Sequence, residues 1–335
     1  MKNWIGLLIG TVLLSGCYAE DDITPLRGDE LLYEFPQGNH DYDDRIVNYY
    51  EKYGFYILYD FIDRDLYWSN TQWDEAFLGT DKYADGVKGT LLGKKADSLY
   101  VEKALNLCED LFFSHYPENL LKKLPMKFLL CSDLRNIENG HTINDDEGHL
   151  VTDENGVAIL VYDTVQIHSY VGFNRFAVNW ASEKIDTLSP KMKMNFQRAI
   201  NSVFLDYLYA TKGSIAICEE FTQVSSYSGS SALGDAAFKQ GYITGNTLAY
   251  RDVEQSKKND FKAYLQLVTI PLEILESEPR PLVSIDDRFN PPLEGALNPK
   301  RDVNGLVRKK YDILIKYFKE AYGINTSAWQ NPSIN

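Results

Sequence analysis

Apolar residues recur along this chain with two different periods, and the change from one to the other marks out most of its elements. Val101, Leu105, Cys108 and Phe112 follow one another at helical spacing, so Ser98 to His115 reads as a helix whose continuation Pro117 blocks. Asp41 to Tyr53 reads as a second helix, closed by Gly54 and followed by a strand from Phe55 to Phe61. Ser189-Pro190 places a capping residue before a proline at the first helical position. The helix they open runs to about Lys212 and ends at Gly213, with Phe196, Ile200, Val203, Phe204 and Tyr207 as its core stripe. Lys257 to Val268 is helical, with Pro271 kinking or restarting it. Gly305 to Tyr322 is a terminal helix with Leu306, Ile313, Leu314, Tyr317 and Phe318 inward, ended by Gly323. Met126 to Cys131 has the continuous apolar character of a buried strand. The turns Asn139-Gly140, Glu147-Gly148 and Asn155-Gly156 carry hairpin chemistry; the last two flank His149 to Glu154 and feed a strand from Val157 to Tyr162. Trp68 to Lys95 reads as irregular, and no internal repeat stands out. Early strands followed by late helices give an α+β fold, a small mixed sheet packed on several helices.

The first residues follow a different logic. Lys2 precedes an apolar run from Trp4 to Leu14 that is too short for an ordinary membrane-spanning helix. It closes in Leu13-Leu14-Ser15-Gly16-Cys17, where small residues before a cysteine are what a lipoprotein signal peptidase requires. Residues 1–16 are therefore expected to be a signal peptide and Cys17 the lipidated residue. Two or three acyl chains hold far more firmly than one. Residues 17–40 read as an acidic tether and 41–335 as one domain. Glu20, Asp21 and Asp22 follow the anchor and resemble the signal that sends lipoproteins to the cell surface in bacteria with starch-utilisation-type importers. The expected address is the outer membrane, lipid-anchored and facing outward.

Composition narrows the partners. Without Lys2 the mature chain has 33 basic against 48 acidic residues, a formal net charge of −15. That argues against nucleic acid and anionic lipid headgroups. Beyond Cys17, only Cys108, Cys131 and Cys218 remain, so a disulfide framework and a cysteine-based zinc site are both unsupported. Asp145, Asp146, Glu147, Asp153 and Asn155 lack the calcium-loop spacing and read as turn residues. The 23 Tyr, 16 Phe and 5 Trp invite a carbohydrate reading, with Trp68, Trp73, Trp180 and Trp329 as candidates for an exposed platform. Tyr49, Tyr50, Tyr53, Tyr56 and Tyr59 instead sit where a helix leads into a strand, which favours the core.

Taken in order, several fragments resemble one family. Glu51-Lys52-Tyr53-Gly54 leads into a strand, and a helix precedes the strand Lys127 to Leu130. The helix 190–212, Glu220-Phe221, Gly241-Tyr242-Ile243-Thr244, Asn259-Asp260-Phe261 and the run from Val307 to Ile324 follow. Over roughly residues 45–325 the chain resembles the substrate import-associated zinc metallohydrolase lipoproteins, peptidase-like proteins encoded beside outer-membrane importers. The resemblance implies a zincin-like fold and, on the helix 190–212, an HExxH motif. In that motif two His at i and i+4 grip one zinc while the Glu activates its water. Aligned on Thr211-Lys212, this helix places Ser202, Val203 and Asp206 on the three positions, within Ser202-Val203-Phe204-Leu205-Asp206. None of His40, His115, His141, His149 and His168 stands in HExxH. The family's later acidic ligand falls near Ala263, with Asp260 the nearby carboxylate.

Zinc, present in intact members, is not expected here, and Asp206 and Asp260 are the only metal candidates the alignment leaves. The expected function is a non-catalytic accessory or binding protein of a TonB-dependent importer and its substrate-binding lipoprotein. Such a pseudo-metallopeptidase would keep a cleft for peptide or glycan, with Glu219, Glu220 and Tyr207 as cleft candidates. One alternative is an active metallohydrolase or peptidase with atypical ligands. Another is glycoside hydrolysis by a pair among Asp206, Glu219, Glu220 and Asp260. A third is a glycan-binding surface lipoprotein.

Overall fold

The computed structural model describes residues 33–62, 65–66, 91–229, 232–249 and 251–332, the side chains of 138–141 and 160–162 excepted. Cys17, the acidic residues behind it, Trp68 and Trp73 lie outside the described residues. The chain divides between Pro36 and Gln37 into two units, and every described helix and strand belongs to the second.

The strands are β1 (Tyr56–Leu58), β2 (Leu91–Lys95), β3 (Lys127–Thr142), β4 (Leu160–Gln166), β5 (Ser169–Val171) and β6 (Arg175–Val178). The longer helices are α1 (Asp41–Tyr53), α2 (Val101–Leu111), α3 (Pro190–Asp206), α4 (Val253–Leu267) and α5 (Leu306–Tyr322). The six strands among the described residues form one mixed sheet in the order β1-β3-β6-β5, with β2 and β4 joining the far half of β3. β1 and β6 run parallel to β3, whereas β5 is an antiparallel edge strand on β6. The parallel β1–β3 pair needs a crossover, and α2 lies within it. Phe128, Leu129, Leu130 and Cys131 are buried in succession, the pattern of a strand covered on both faces.

Aromatic rings join the sheet to the helices. Phe128 stacks on Phe176 at 5.6 Å between centroids, and Phe112 from the end of α2 meets Phe176 at 5.6 Å. Phe204 of α3 then closes on Phe112 edge-on at 5.2 Å. Offset and edge-to-face pairs of this kind add to what burial alone supplies. Tyr56 and Tyr59 are buried and Tyr49, Tyr50 and Tyr53 half-buried. Glycosyl-platform candidates Trp180 and Trp329 are buried as well, so neither can stack on a sugar from solvent.

Several elements depart from the sequence reading. Leu91–Lys95, read as irregular, is a strand, because β3 is long enough to offer it a partner edge. The buried strand expected at 126–131 continues to Thr142, and the strand expected at 157–162 lies at 160–166. The short β5 and β6 were not expected. The helix expected from Lys257 starts at Val253, where the Asp252 side chain accepts the Gln255 N–H. The α3 stripe holds Phe196, Ile200 and Phe204, but Val203 is only half-buried and Asn201 replaces it, fully buried. Its amide nitrogen donates to the carbonyls of Leu111 and Gln197, at 2.9 and 2.7 Å, which satisfies its N–H groups inside the core, while its buried Oδ1 finds no donor among the described residues. On α5, Leu314 and Phe318 face inward, whereas Leu306, Ile313 and Tyr317 are half-buried and Lys310 is completely buried. The turn region is a repeat of eight residues. Asp145 accepts the N–H groups of Glu147 and His149, and Asp153 those of Asn155 and Val157. Val151 bonds back to Ile143 and Ile159 to Val151. The Asp side chains are thus turn formers.

Candidate functional site

α3 packs along the edge strand β5 and against α4. Between these elements lies a cavity of about 320 Å³, lined by Asn195, Arg198, Ala199 and Ser202 of α3 and by His168 just before β5. Gln266 of α4, Thr269, Ile270 and Leu293 complete it. The four α3 residues follow the i, i+3, i+4, i+7 spacing of a single helical face. Ser202 thus stands in a cleft beneath a sheet edge. Beyond Asp206 the helix widens into one π turn, Tyr207–Thr211, closed by Lys212 N–H on the Tyr207 carbonyl at 3.0 Å. Single π turns of this kind are rare and concentrate at functional sites.

His168 is fixed in one tautomer. An indole nitrogen only donates, and Trp180 Nε1 lies 3.1 Å from His168 Nδ1. Nδ1 therefore accepts and the neutral ring carries its hydrogen on Nε2. Burial pushes the His168 pKa below its ordinary value, which keeps the ring neutral. Trp180 is itself strained, with φ at 89°, a region a bulky side chain rarely enters. Such a residue costs about 1–3 kcal/mol and persists only where its surroundings over-determine it. Here Asn179 does so. Its carbonyl oxygen accepts the Trp180 N–H at 2.8 Å while its amide donates to Leu134 and Ile167 carbonyls.

Arg198 supplies the charge. It is half-buried, and burial lowers its pKa against the field of exposed Glu294. It has no ion pair among the described residues. No carboxylate lines the cavity.

The residues singled out from the sequence are not brought together as a metal site. Asp206 lies with Oδ1 3.3 Å from Lys262 Nζ. Asp260 is fully buried on the other side of α4, where Lys310 Nζ donates to its Oδ2 at 2.5 Å and Tyr227 OH at 2.6 Å. Burial raises the Asp260 pKa and lowers that of Lys310, each toward its neutral form, while their mutual attraction opposes this. Val203, which the sequence resemblance aligned with a general base, has no acid–base chemistry. A serine, a valine and a lysine-paired carboxylate do not fit a zinc site, which needs three ligands and an activated water. Among the described residues no group of three or more His, Cys, Asp or Glu is placed to hold a metal ion.

Glu219 and Glu220 line a different cavity, of about 390 Å³, with Lys316, Tyr317 and Glu320 of α5. Tyr207 is buried against Phe204 and lines neither. His115 is buried beside a larger polar groove of about 710 Å³ and accepts the Trp329 indole N–H at 3.2 Å. Burial takes its pKa down to about 4, although the Asn201 side chain and the Asp110 backbone favour the charged form.

Sequence reasoning missed Asn195, Arg198, His168 and Gln266. The helical spacing that puts Ser202 and Asp206 on one face also puts Asn195 and Arg198 there, so half of the cleft was available from periodicity. His168 and Gln266 arrive from other elements and had no local signal. Comparison with family models, with curated proteins and with solved structures found no match for this chain.

Proposed function

We propose that this chain is a lipid-anchored, outward-facing outer-membrane protein with a zincin-like body, serving a nutrient importer as a non-catalytic binding protein. The observation that carries the reading is the position of α3. The helix aligned with the family's HExxH lies under an edge strand, and Ser202, on the first motif position, opens into a cavity shared with α4. A cleft is kept where a metallohydrolase would cut, but its side chains are Ser202, Val203 and a lysine-paired Asp206. That favours binding over hydrolysis. The buried Trp180 and Trp329 weigh against a glycan platform among the described residues.

Metal analysis of the purified protein, together with a peptidase assay, tests this reading. The expected result is no stoichiometric zinc and no peptide cleavage with zinc added; zinc at one equivalent with hydrolysis would reject it in favour of an active metallohydrolase. Protease shaving of intact cells tests the address: loss of the protein is expected, and its survival would place it on the inner face.

A further inference from the structure

We propose that the cavity between α3, α4 and β5 binds the C-terminal carboxylate of a peptide, with Arg198 as the anion-binding side chain. The inference rests on reading this cavity as the ligand site.

The first support is that no carboxylate contacts Arg198 among the described residues. Four other guanidinium groups are matched closely, whereas exposed Arg288 has no ion pair among the described residues. Arg45 meets Glu109, Arg135 meets Asp133, Arg308 meets Glu276, and Arg301 meets Asp235 and three backbone carbonyls. Arg198 lines a cavity with no ion pair among the described residues; exposed Glu294 acts on it through its field but neither pairs with it nor lines the cavity. A partly desolvated cation left this way is unfavourable until an anion enters, and the planar guanidinium suits the two oxygens of a carboxylate.

The second support is the company it keeps. His168 has Nδ1 occupied by Trp180 and so presents an N–H on Nε2, which has no partner among the described residues. Ser202 adds a hydroxyl, and Asn195 and Gln266 add amides that can meet a peptide backbone. Ala199, Ile270 and Leu293 offer apolar surface for a terminal side chain. The strained Trp180 gives this donor set rigidity, since its indole holds the His168 ring in place.

Size sets the extent of the ligand. At roughly 30 Å³ for each water, the 320 Å³ cavity holds about ten waters, enough for a terminal residue together with the amide unit before it. A longer peptide would leave the rest of its chain outside.

Isothermal titration with four probes at millimolar concentration tests the proposal: N-acetylleucine, N-acetylleucine amide, glucuronate and inorganic phosphate. The free acid is expected to bind at least about tenfold more tightly than the amide, the ratio one charge-assisted hydrogen-bond pair supplies. Arg198→Gln is expected to remove that preference while the protein melts as a folded domain. If that variant does not fold, the acid-to-amide ratio on the unaltered protein decides. Equal binding of acid and amide would overturn the carboxylate assignment and leave the binding reading standing. Glucuronate or phosphate binding as tightly as N-acetylleucine would overturn the peptide terminus. Absence of binding by all four would overturn the site itself, whereas the non-catalytic reading fails separately, by zinc and peptidase activity.

Discussion

Lys310 gives the sharpest test of what holds the helical half together. It sits on α5 with no exposed surface, inside a cage of Phe221, Tyr227, Tyr242 and Tyr264 whose ring centres lie 4.9–5.5 Å from Nζ. Its ammonium donates to Asp260 Oδ2 at 2.5 Å and to the Gly241 carbonyl at 2.9 Å. Tyr264 OH also reaches that carbonyl, at 3.0 Å, so Gly241 keeps a donor if Lys310 is lost. Asp260 does not fare as well. Its Oδ1 finds no donor among the described residues, and without Lys310 its charge would rest on Tyr227 alone. Breaking a buried pair from one side costs about 3–5 kcal/mol. Lys310→Met, close in volume, should therefore lower the unfolding free energy by about that amount at pH 7. Asp260 is then held above its unfolded pKa, so the stability of the variant is retained in acid and falls as pH rises through the folded value. The deficit should accordingly be smaller at pH 4 than at pH 7. Adding Asp260→Asn removes the stranded charge but keeps an oxygen for Tyr227. The double variant should recover at least about 2 kcal/mol of the loss. Urea unfolding with an unchanged m-value measures all three proteins. A double variant no more stable than Lys310→Met would refute the electrostatic account. So would a single variant within about 0.5 kcal/mol of the parent, the range of an ordinary surface change.

Three further outcomes follow from the same contacts. His115 falls from its ordinary 6.5 to about 4 on folding, so the unfolded chain binds the proton first; stability present above pH 6.5 should be lost between 6.5 and 4 by about 3 kcal/mol. In His115→Gln the urea midpoint should change less across that window, and an unchanged slope would refute the assignment. Gly295 has φ of 72°, and a Cβ there would lie 2.5 Å from Pro279 Cα and 2.8 Å from the Ser277 oxygen. Gly295→Ala should thus cost more than about 2 kcal/mol, against about 1 kcal/mol for Gly54→Ala, where φ is 82° and the space is open. A thiol reagent at pH 8 should label half-exposed Cys218 in the native protein and reach Cys108 and Cys131 only after denaturation, since burial pushes both of those thiols up.

Periodicity and punctuation determined the helices and the general α+β character. Asp41–Tyr53 with Gly54 behind it, Ser189-Pro190 before α3, and Gly323 after α5 all act through the backbone of a few neighbouring residues, so their effect is local and readable. The apolar face of α2 was likewise readable, because Val101, Leu105, Cys108 and Phe112 need only a helix to align them. The amphipathic logic failed where burial depended on a distant partner. Lys310 carries a charge that assigns it to the surface until Asp260, fifty residues earlier on another helix, and four aromatic faces make its burial tolerable. Asn201 is in the core because the Leu111 carbonyl, ninety residues away, accepts its amide. The candidate cleft divides in the same way. Asn195, Arg198 and Ser202 share a face by helical spacing alone. Only the tertiary structure decided that β5 and α4 would close over that face and bring His168 and Gln266 to it. It also decided that Asp206 and Asp260 would pair with separate lysines, Lys262 and Lys310, because which charges meet depends on how helices pack and not on where their residues stand in the chain.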